Sequence, residues 1–139
     1  MTEYVIYTDG SCRANKNGGI GIVWLKNGEK VAEYSKGYKN TTNNQMELKA
    51  IYLALKSIKK PIDSLKIRSD SEYALGCIFN IRWNPKKNLE LINSIKKQLK
   101  ETQKLVKSPI DYEHVFGHFD DKWNNYVDKL AQNESSMLL

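Results

Sequence analysis

From Tyr4 to Tyr38 the apolar positions come in short β-prone runs broken by turn residues. Tyr4-Val5-Ile6-Tyr7-Thr8 ends in Asp9-Gly10-Ser11, the pattern of a central strand buried on both faces. Gly18, Gly19 and Gly21 lead into Ile22-Val23-Trp24-Leu25, and Asn27-Gly28 separates that run from Val31–Tyr38, which predicts an antiparallel hairpin. The period then changes. Asn40-Thr41-Thr42-Asn43-Asn44 offers N-cap candidates, and Gln45 to Lys59 runs without Gly or Pro until Pro61 closes a predicted helix. Leu65-Lys66-Ile67-Arg68-Ser69-Asp70 alternates as a strand, and Ser71-Glu72 opens a short helix through Tyr73, Leu75, Ile78 and Phe79. After Trp83-Asn84-Pro85, a stripe of Leu89, Ile92, Ile95 and Leu99 predicts an amphipathic helix, with Lys96, Lys97, Lys100, Lys104 and Lys107 off the stripe. Ile110–Phe116 reads as a last strand, Gly117-His118 as a turn, and Trp123, Val127, Leu130 and Ala131 as the apolar face of a final helix.

The predicted order is βββαβααβα, an α/β fold. Its sheet should be mixed, since contiguous strands pair antiparallel while strands joined through helices pair parallel. A length of 139 residues with 40% hydrophobic content fits one domain, 1–139, with one core. Whether the tail after about 132 is ordered is left open by the sequence. Lys and Arg number 22 against 16 Asp and Glu, a formal charge of +6 that attracts polyanions but equally describes solvated helices. Cys12 and Cys77 form no CxxC pair or zinc spacing, and the N-terminus carries no basic region before an apolar run. A cytoplasmic protein with reduced thiols and no membrane segment is expected.

Four carboxylates change the picture. Asp9 ends a strand, Glu47 lies near the start of a helix, Asp70 ends another strand, and Asp128 falls inside the last helix. Singly, each has an ordinary explanation: Asp9-Gly10 as a turn, Asp70-Ser71 as an N-cap, Asp128 as a surface acid. Glu47 shares a helix face with Ala50, Ile51, Ala54 and Ile58, where a solvated Glu would not normally sit; the helix N-terminus or a metal would stabilise it. Parallel strands deliver their ends to one sheet edge, beside helix starts. Acids gathered there are tolerable if a hard divalent cation neutralises them, and two such ions about 4 Å apart suit in-line displacement at phosphate.

The motifs Tyr7-Thr8-Asp9-Gly10-Ser11-Cys12, Thr41-Thr42-Asn43-Asn44-Gln45-Met46-Glu47-Leu48, Ser69-Asp70-Ser71, and Gly117-His118 followed by Asp128-Lys129-Leu130-Ala131 resemble those of type 1 ribonucleases H. The likeness runs from the first strand to the last helix. It implies the ribonuclease H-like fold, with a mixed five-stranded sheet flanked by helices. It also implies a metal-dependent endonuclease that hydrolyses the RNA strand of RNA/DNA hybrids, leaving 5′-phosphate and 3′-hydroxyl ends. The family's metal-binding acids carry over onto Asp9, Glu47, Asp70 and Asp128, and its mobile histidine onto His118, in proton transfer or product release. Two Mg²⁺ ions are implied with substrate, Mn²⁺ being a substitute. Ser11, Cys12, Asn15, Asn43, Asn44 and Glu72 match positions along the minor groove, and Thr42 and Asn88 a pocket for a DNA-strand phosphate. A monomer with no obligate protein partner is expected.

Three departures stand out. Glu72 occupies a place where many relatives have Gln, and Asn40 one where an Arg often helps. Only Asn80–Lys87 joins the two middle helices, so the basic protrusion many relatives carry there is absent. Trp83, Lys86, Lys87 and the lysines at 96, 100 and 104 are expected to replace it in part, with core packing as the alternative for Trp83. The loop Arg13–Asn17 is shortened, lacks the usual Pro, and is expected to be more mobile. A catalytically silent hybrid-binding module and a DNA-cutting enzyme of the same broad fold are the competing classes. The four acids speak against the first and the Asn-rich segment against the second.

Overall fold

The computed structural model describes residues 1–80, 82–116 and 121–137. Nine elements follow one another: β1 (Glu3–Cys12), β2 (Gly18–Lys26), β3 (Glu29–Tyr38), α1 (Asn43–Lys56), β4 (Ser64–Ser69), α2 (Glu72–Phe79), α3 (Leu89–Gln103), β5 (Asp111–His114) and α4 (Lys122–Met137). The order of elements is the one the patterning predicts. The strands form one sheet in the order β3-β2-β1-β4-β5. β1–β2 and β2–β3 pair antiparallel, and β1–β4 and β4–β5 pair parallel.

β1 runs further than the sequence suggested, to Cys12, so Asp9 lies inside a strand instead of ending it. The reason is pairing. Antiparallel bonding to β2 continues to Cys12↔Gly18, while the parallel register with β4 stops at Thr8↔Ser69. From Asp9 onward β1 therefore has a strand partner on one side only among the described residues. α1 ends at Lys56, earlier than the expected Lys59. Ser57 halts it well before Pro61: its hydroxyl donates to Ala54 O (2.6 Å) and accepts from Trp24 Nε1 (2.8 Å), tying the helix end to β2. β5 covers only Asp111–His114 of the expected Ile110–Phe116, and the Phe116 side chain is exposed. The α3 stripe is buried at Ile92 and Ile95, whereas Leu89, the first helical residue, is exposed. α4 is helical through Met137, and Ser135 is buried.

The main core lies between the sheet and α1, α2 and α3, with Ile6, Ile20, Ile22, Leu48, Ile51, Leu55, Leu65, Ile67, Ile92 and Ile95 essentially inaccessible. α4 covers the other face over β1, β2 and β3. A Cβ at Gly19 or Gly21 would overlap the carbonyl oxygens of Ala131 or Val127, so these glycines let α4 rest directly on the sheet backbone. The loop expected to be more mobile carries its own hydrogen bonds: Arg13 N donates to Asn17 O (2.9 Å), Asn17 N to Asn15 Oδ1 (3.0 Å), and Thr41 N to Lys16 O (3.1 Å).

Candidate active site

Three acids meet where β4 has ended and β1 continues. One carboxylate oxygen from each of Asp9, Glu47 and Asp70 lies within 4.8 Å of the other two. Asp9 and Glu47 are buried, 2% and 7% exposed, and Asp70 is half-buried. Gly10 makes this possible. A Cβ there would overlap the Glu47 nitrogen and the Met46 backbone, so its absence lets α1 approach β1. Glu47 Oε1 then accepts a hydrogen bond from Gly10 N at 2.6 Å, fully buried.

Asp128 approaches from α4. Its carboxylate accepts from Gln132 Nε2 at 3.1 and 3.2 Å and also interacts with Asp9 by hydrogen bonding and charge. Burial, then the charges of Glu47 and Asp70 and the bond and charge of Asp128, push the Asp9 carboxyl up to about 11. Burial and Asp70 push Glu47 up to about 8, against the opposing effect of its bonds to Asp9 and the Gly10 N–H. Without a counter-charge these groups must hold protons to coexist. An oxygen-only donor set, buried and pressed together, fits a hard divalent cation, which would reverse that balance.

The residues expected along the minor groove lie on elements that start or end at this edge. Ser11 and Cys12 extend β1 beyond Asp9, with Cys12 Sγ 3.4 Å from Thr41 O. Asn43 and Asn44 are the exposed first residues of α1, Glu72 is the exposed first residue of α2, and Asn15 is exposed in the loop after β1. The two residues matched to a phosphate pocket already have intramolecular work. Thr42 is the N-cap of α1 and accepts from Gln45 N (3.2 Å), while Asn88 has a positive φ of 61° and links Gln45 Nε2 (3.4 Å) to Tyr73 OH (3.2 Å). His118 lies outside the described residues.

Trp83 stacks over Gly76, whose missing side chain makes room for it, and meets Tyr73 edge-on at 6.3 Å. It remains 37% exposed, so it both packs and presents a ring edge. Arg82, Lys86 and Lys87 are exposed around it.

His114, structural by its mid-strand place in the sequence, has Nε2 3.1 Å from the backbone oxygen of Asp70 and fixes the exit of β4. Sequence reasoning passed over several other neighbours of the acids. Asn124, one turn before Asp128, is buried, and its Oδ1 has no partner among the described residues. Tyr7, Arg68 and Asp121 form a bonded chain just behind the acids. Their signal was spacing: Tyr7 and Arg68 precede acids by two, the strand repeat, and Asp121 precedes Asp128 by two helical turns.

Comparison with known proteins agrees with the geometry. The RNase H family profile matches residues 1–136. Ribonuclease H of Clostridium botulinum is 38% identical over 149 residues, covering 94% of each chain. Ribonuclease H of Syntrophomonas wolfei is 37% identical over 141 residues, covering 96% of each. Among solved structures, LC11-RNase H1 from compost, in complex with an RNA/DNA hybrid, superposes with a TM-score of 0.78 at 23% identity, covering 96% of each chain. A match spanning nearly every element, with the acid-bearing strands and helices included, leaves one conclusion: this chain belongs to the RNase H family.

Proposed function

We propose that this protein is an endoribonuclease that cuts the RNA strand of RNA/DNA hybrids, with Asp9, Glu47, Asp70 and Asp128 as its cation-holding acids. The observation that carries it is the convergence of Asp9, Glu47 and Asp70 from three separate elements onto one site, in a member of the RNase H family. The hybrid bound by LC11-RNase H1 supports the substrate class. Mg²⁺ is the preferred cation and Mn²⁺ a substitute, since both accept all-oxygen ligands and leave positions for water and phosphate. When bound, a pair of such ions supplies an activated water and neutralises charge on the leaving oxygen.

The protein's own groups do the positioning. The Gly10 N–H holds Glu47 beside Asp9, and Asp70 and Asp128, only half-buried, are the two acids more accessible to a phosphodiester. Asn15, Asn43, Asn44 and Glu72, with Ser11 and Cys12, read the minor groove, where amides and carboxylates can bond the 2′-hydroxyls that distinguish RNA from DNA. Thr42 and Asn88 hold a phosphate of the DNA strand, and Lys86, Lys87 and Trp83 grip the duplex in place of a longer basic insertion. His118 moves a proton or assists product release, as an imidazole titrating near neutrality can. Products carry 5′-phosphate and 3′-hydroxyl ends. The protein acts in the cytoplasm as a monomer.

End-labelled hybrid, RNA duplex, single-stranded RNA and DNA duplex, each incubated with Mg²⁺ or with chelator, test this. Cleavage of the hybrid's RNA strand alone, lost with chelator and in Asp70→Asn, is the expected result. Cutting of DNA duplex, or activity that survives chelation, would overturn it.

A further inference from the structure

Behind the acids lies a second layer of polar groups on the same three elements. Tyr7 stands two residues before Asp9 on β1, Arg68 two before Asp70 on β4, and Asp121 seven before Asp128, immediately ahead of α4. Steps of two along a strand and seven along a helix keep side chains on one face. The three are linked by hydrogen bonds. The Tyr7 hydroxyl donates to Asp121 Oδ2 at 2.8 Å and accepts from Arg68 Nη1 at 2.7 Å. Arg68 Nε donates to Glu113 Oε1 on β5 at 2.7 Å, and its guanidinium lies 5.5 Å from the centre of the Tyr7 ring. Asp121 uses its other oxygen, Oδ1, to cap α4, accepting from Trp123 N (3.1 Å) and Asn124 N (3.2 Å).

We propose that Tyr7, Arg68 and Asp121 are positioning residues that set where α4, and with it Asp128, stands relative to Asp9 and Asp70. α4 also rests on the sheet through Val127 and Ala131 over bare glycine backbone, and Tyr126 and Glu134 bond Glu33 and Ser35 (3.2 Å) on β3, but none of these bonds reaches β1 or β4, which lead to Asp9 and Asp70. The directional bond from a buried phenol to the capping carboxylate ties the helix start to β1 itself, because hydrogen bonds weaken steeply with misalignment. Arg68 orients the phenol: placed between a cation and an anion, its oxygen accepts from one and its proton points to the other. The chain thus joins β5, β4, β1 and α4 in a line parallel to the acid cluster. This inference rests on the cation-holding role given above to Asp128.

Tyr7→Phe removes one oxygen and leaves the cap, the ring and the fold in place. Mg²⁺ binding by calorimetry, hydrogen exchange at the Trp123 and Asn124 amides, and hybrid kinetics are then compared with wild type. Of the two hydrogen bonds lost, only that to Asp121 reaches α4, so the expected result is Mg²⁺ affinity and kcat lowered about 3- to 10-fold, with faster exchange in the first turn of α4 and an unchanged KM. Asp121→Ala should lower affinity at least as far, Asp121→Asn should recover it, and Tyr7→Phe added to Asp121→Ala should cost nothing more. Wild-type Mg²⁺ affinity in Tyr7→Phe, or additive losses in the double variant, would overturn the proposal. Failure of the wild type to cut hybrid would instead count against the proposed substrate, since calorimetry and exchange need none.

Discussion

On one face of the sheet, α1, α2 and α3 bury a continuous apolar cluster from Ile6 and Ile67 out to Ile95 and Val106; on the other, α4 buries a smaller one around Tyr7, Val23, Leu25 and Val127. The first face holds Glu47 by embedding it in that cluster's edge, one turn from Ala50 and Ile51, which are inaccessible. The second holds Asp128 half-exposed on a helix whose start is tied by polar bonds. The difference teaches that the acids are not equivalent. Asp9 and Glu47 are set by the same packing that stabilises the fold, whereas Asp128 is set by a thinner, directional set of contacts that can be altered without unfolding the protein.

The largest effect should follow from Asp9→Asn. Residues behind metal ligands typically cost 10- to 100-fold when removed, so removing Asp9, a proposed cation ligand, should lower hybrid cleavage by more than about 100-fold. The same change should raise the melting temperature of the cation-free protein, because it removes a carboxyl that must take up a proton to be buried beside three other acids. Loss of activity with a lower melting temperature would mean that Asp9 is a packing residue. Ile51→Ala against Val127→Ala then tests the two faces directly. Ile51→Ala should cost about 2–5 kcal/mol in denaturant melts, and Val127→Ala about 1.5 kcal/mol at ~0.8 per methyl group. Under conditions where both variants remain folded, the order should reverse for activity, since Val127 neighbours Asp128.

The pH dependence of stability sharpens the contrast further. Asp9 and Glu47 have folded-state values raised above the ordinary carboxylate range of about 4, so the folded chain binds more protons than the unfolded one above that range. Without cation, stability should therefore fall as pH rises from about 4 through about 8, the midpoint for Glu47, and should go on falling while Asp9 keeps its proton. Saturating Mg²⁺ should flatten the curve, and Asp9→Asn should remove much of the slope. Thermal melts in chelator and in Mg²⁺ across that window measure it; a flat curve in chelator would show that the acids are solvated, and a slope of the opposite sign that the fold favours them as anions.

How much of this was legible in the sequence divides along the same line. The order of elements followed from periodicity, and Glu47 was suspect because it shares a stripe with Ala50, Ile51 and Ala54; both are local patterns. The position of Asp9 within a strand was not legible, because it depends on β2 continuing to pair where β4 stops, a fact about partners. Tyr7 looked like one more β-prone aromatic. Only the placement of Arg68 and Asp121 around its hydroxyl, 61 and 114 residues away, gives it a polar role. Likewise Thr42 read first as a candidate cap and then, through resemblance, as a phosphate ligand, and its bond to Gln45 N shows the cap at work.

The smallest expected effect concerns whether the three-helix face serves only stability. Its connection between α2 and α3 carries Trp83, Lys86 and Lys87, exposed at the surface and close in sequence to Asn88. If these lysines meet phosphates, Lys86→Gln and Lys87→Gln together should raise KM for the hybrid a few-fold at moderate salt while kcat holds. They should also reduce the slope of log affinity against log salt by about 0.7–0.9 for each phosphate no longer neutralised. Trp83→Ala separates gripping from packing: its ring fills the space over Gly76, so it should lower the melting temperature whatever its role, and raise KM only if the ring meets substrate. Salt slopes identical in wild type and the double lysine variant would confine that face to folding, and the duplex would then have to be held by groups at the acid-bearing edge alone.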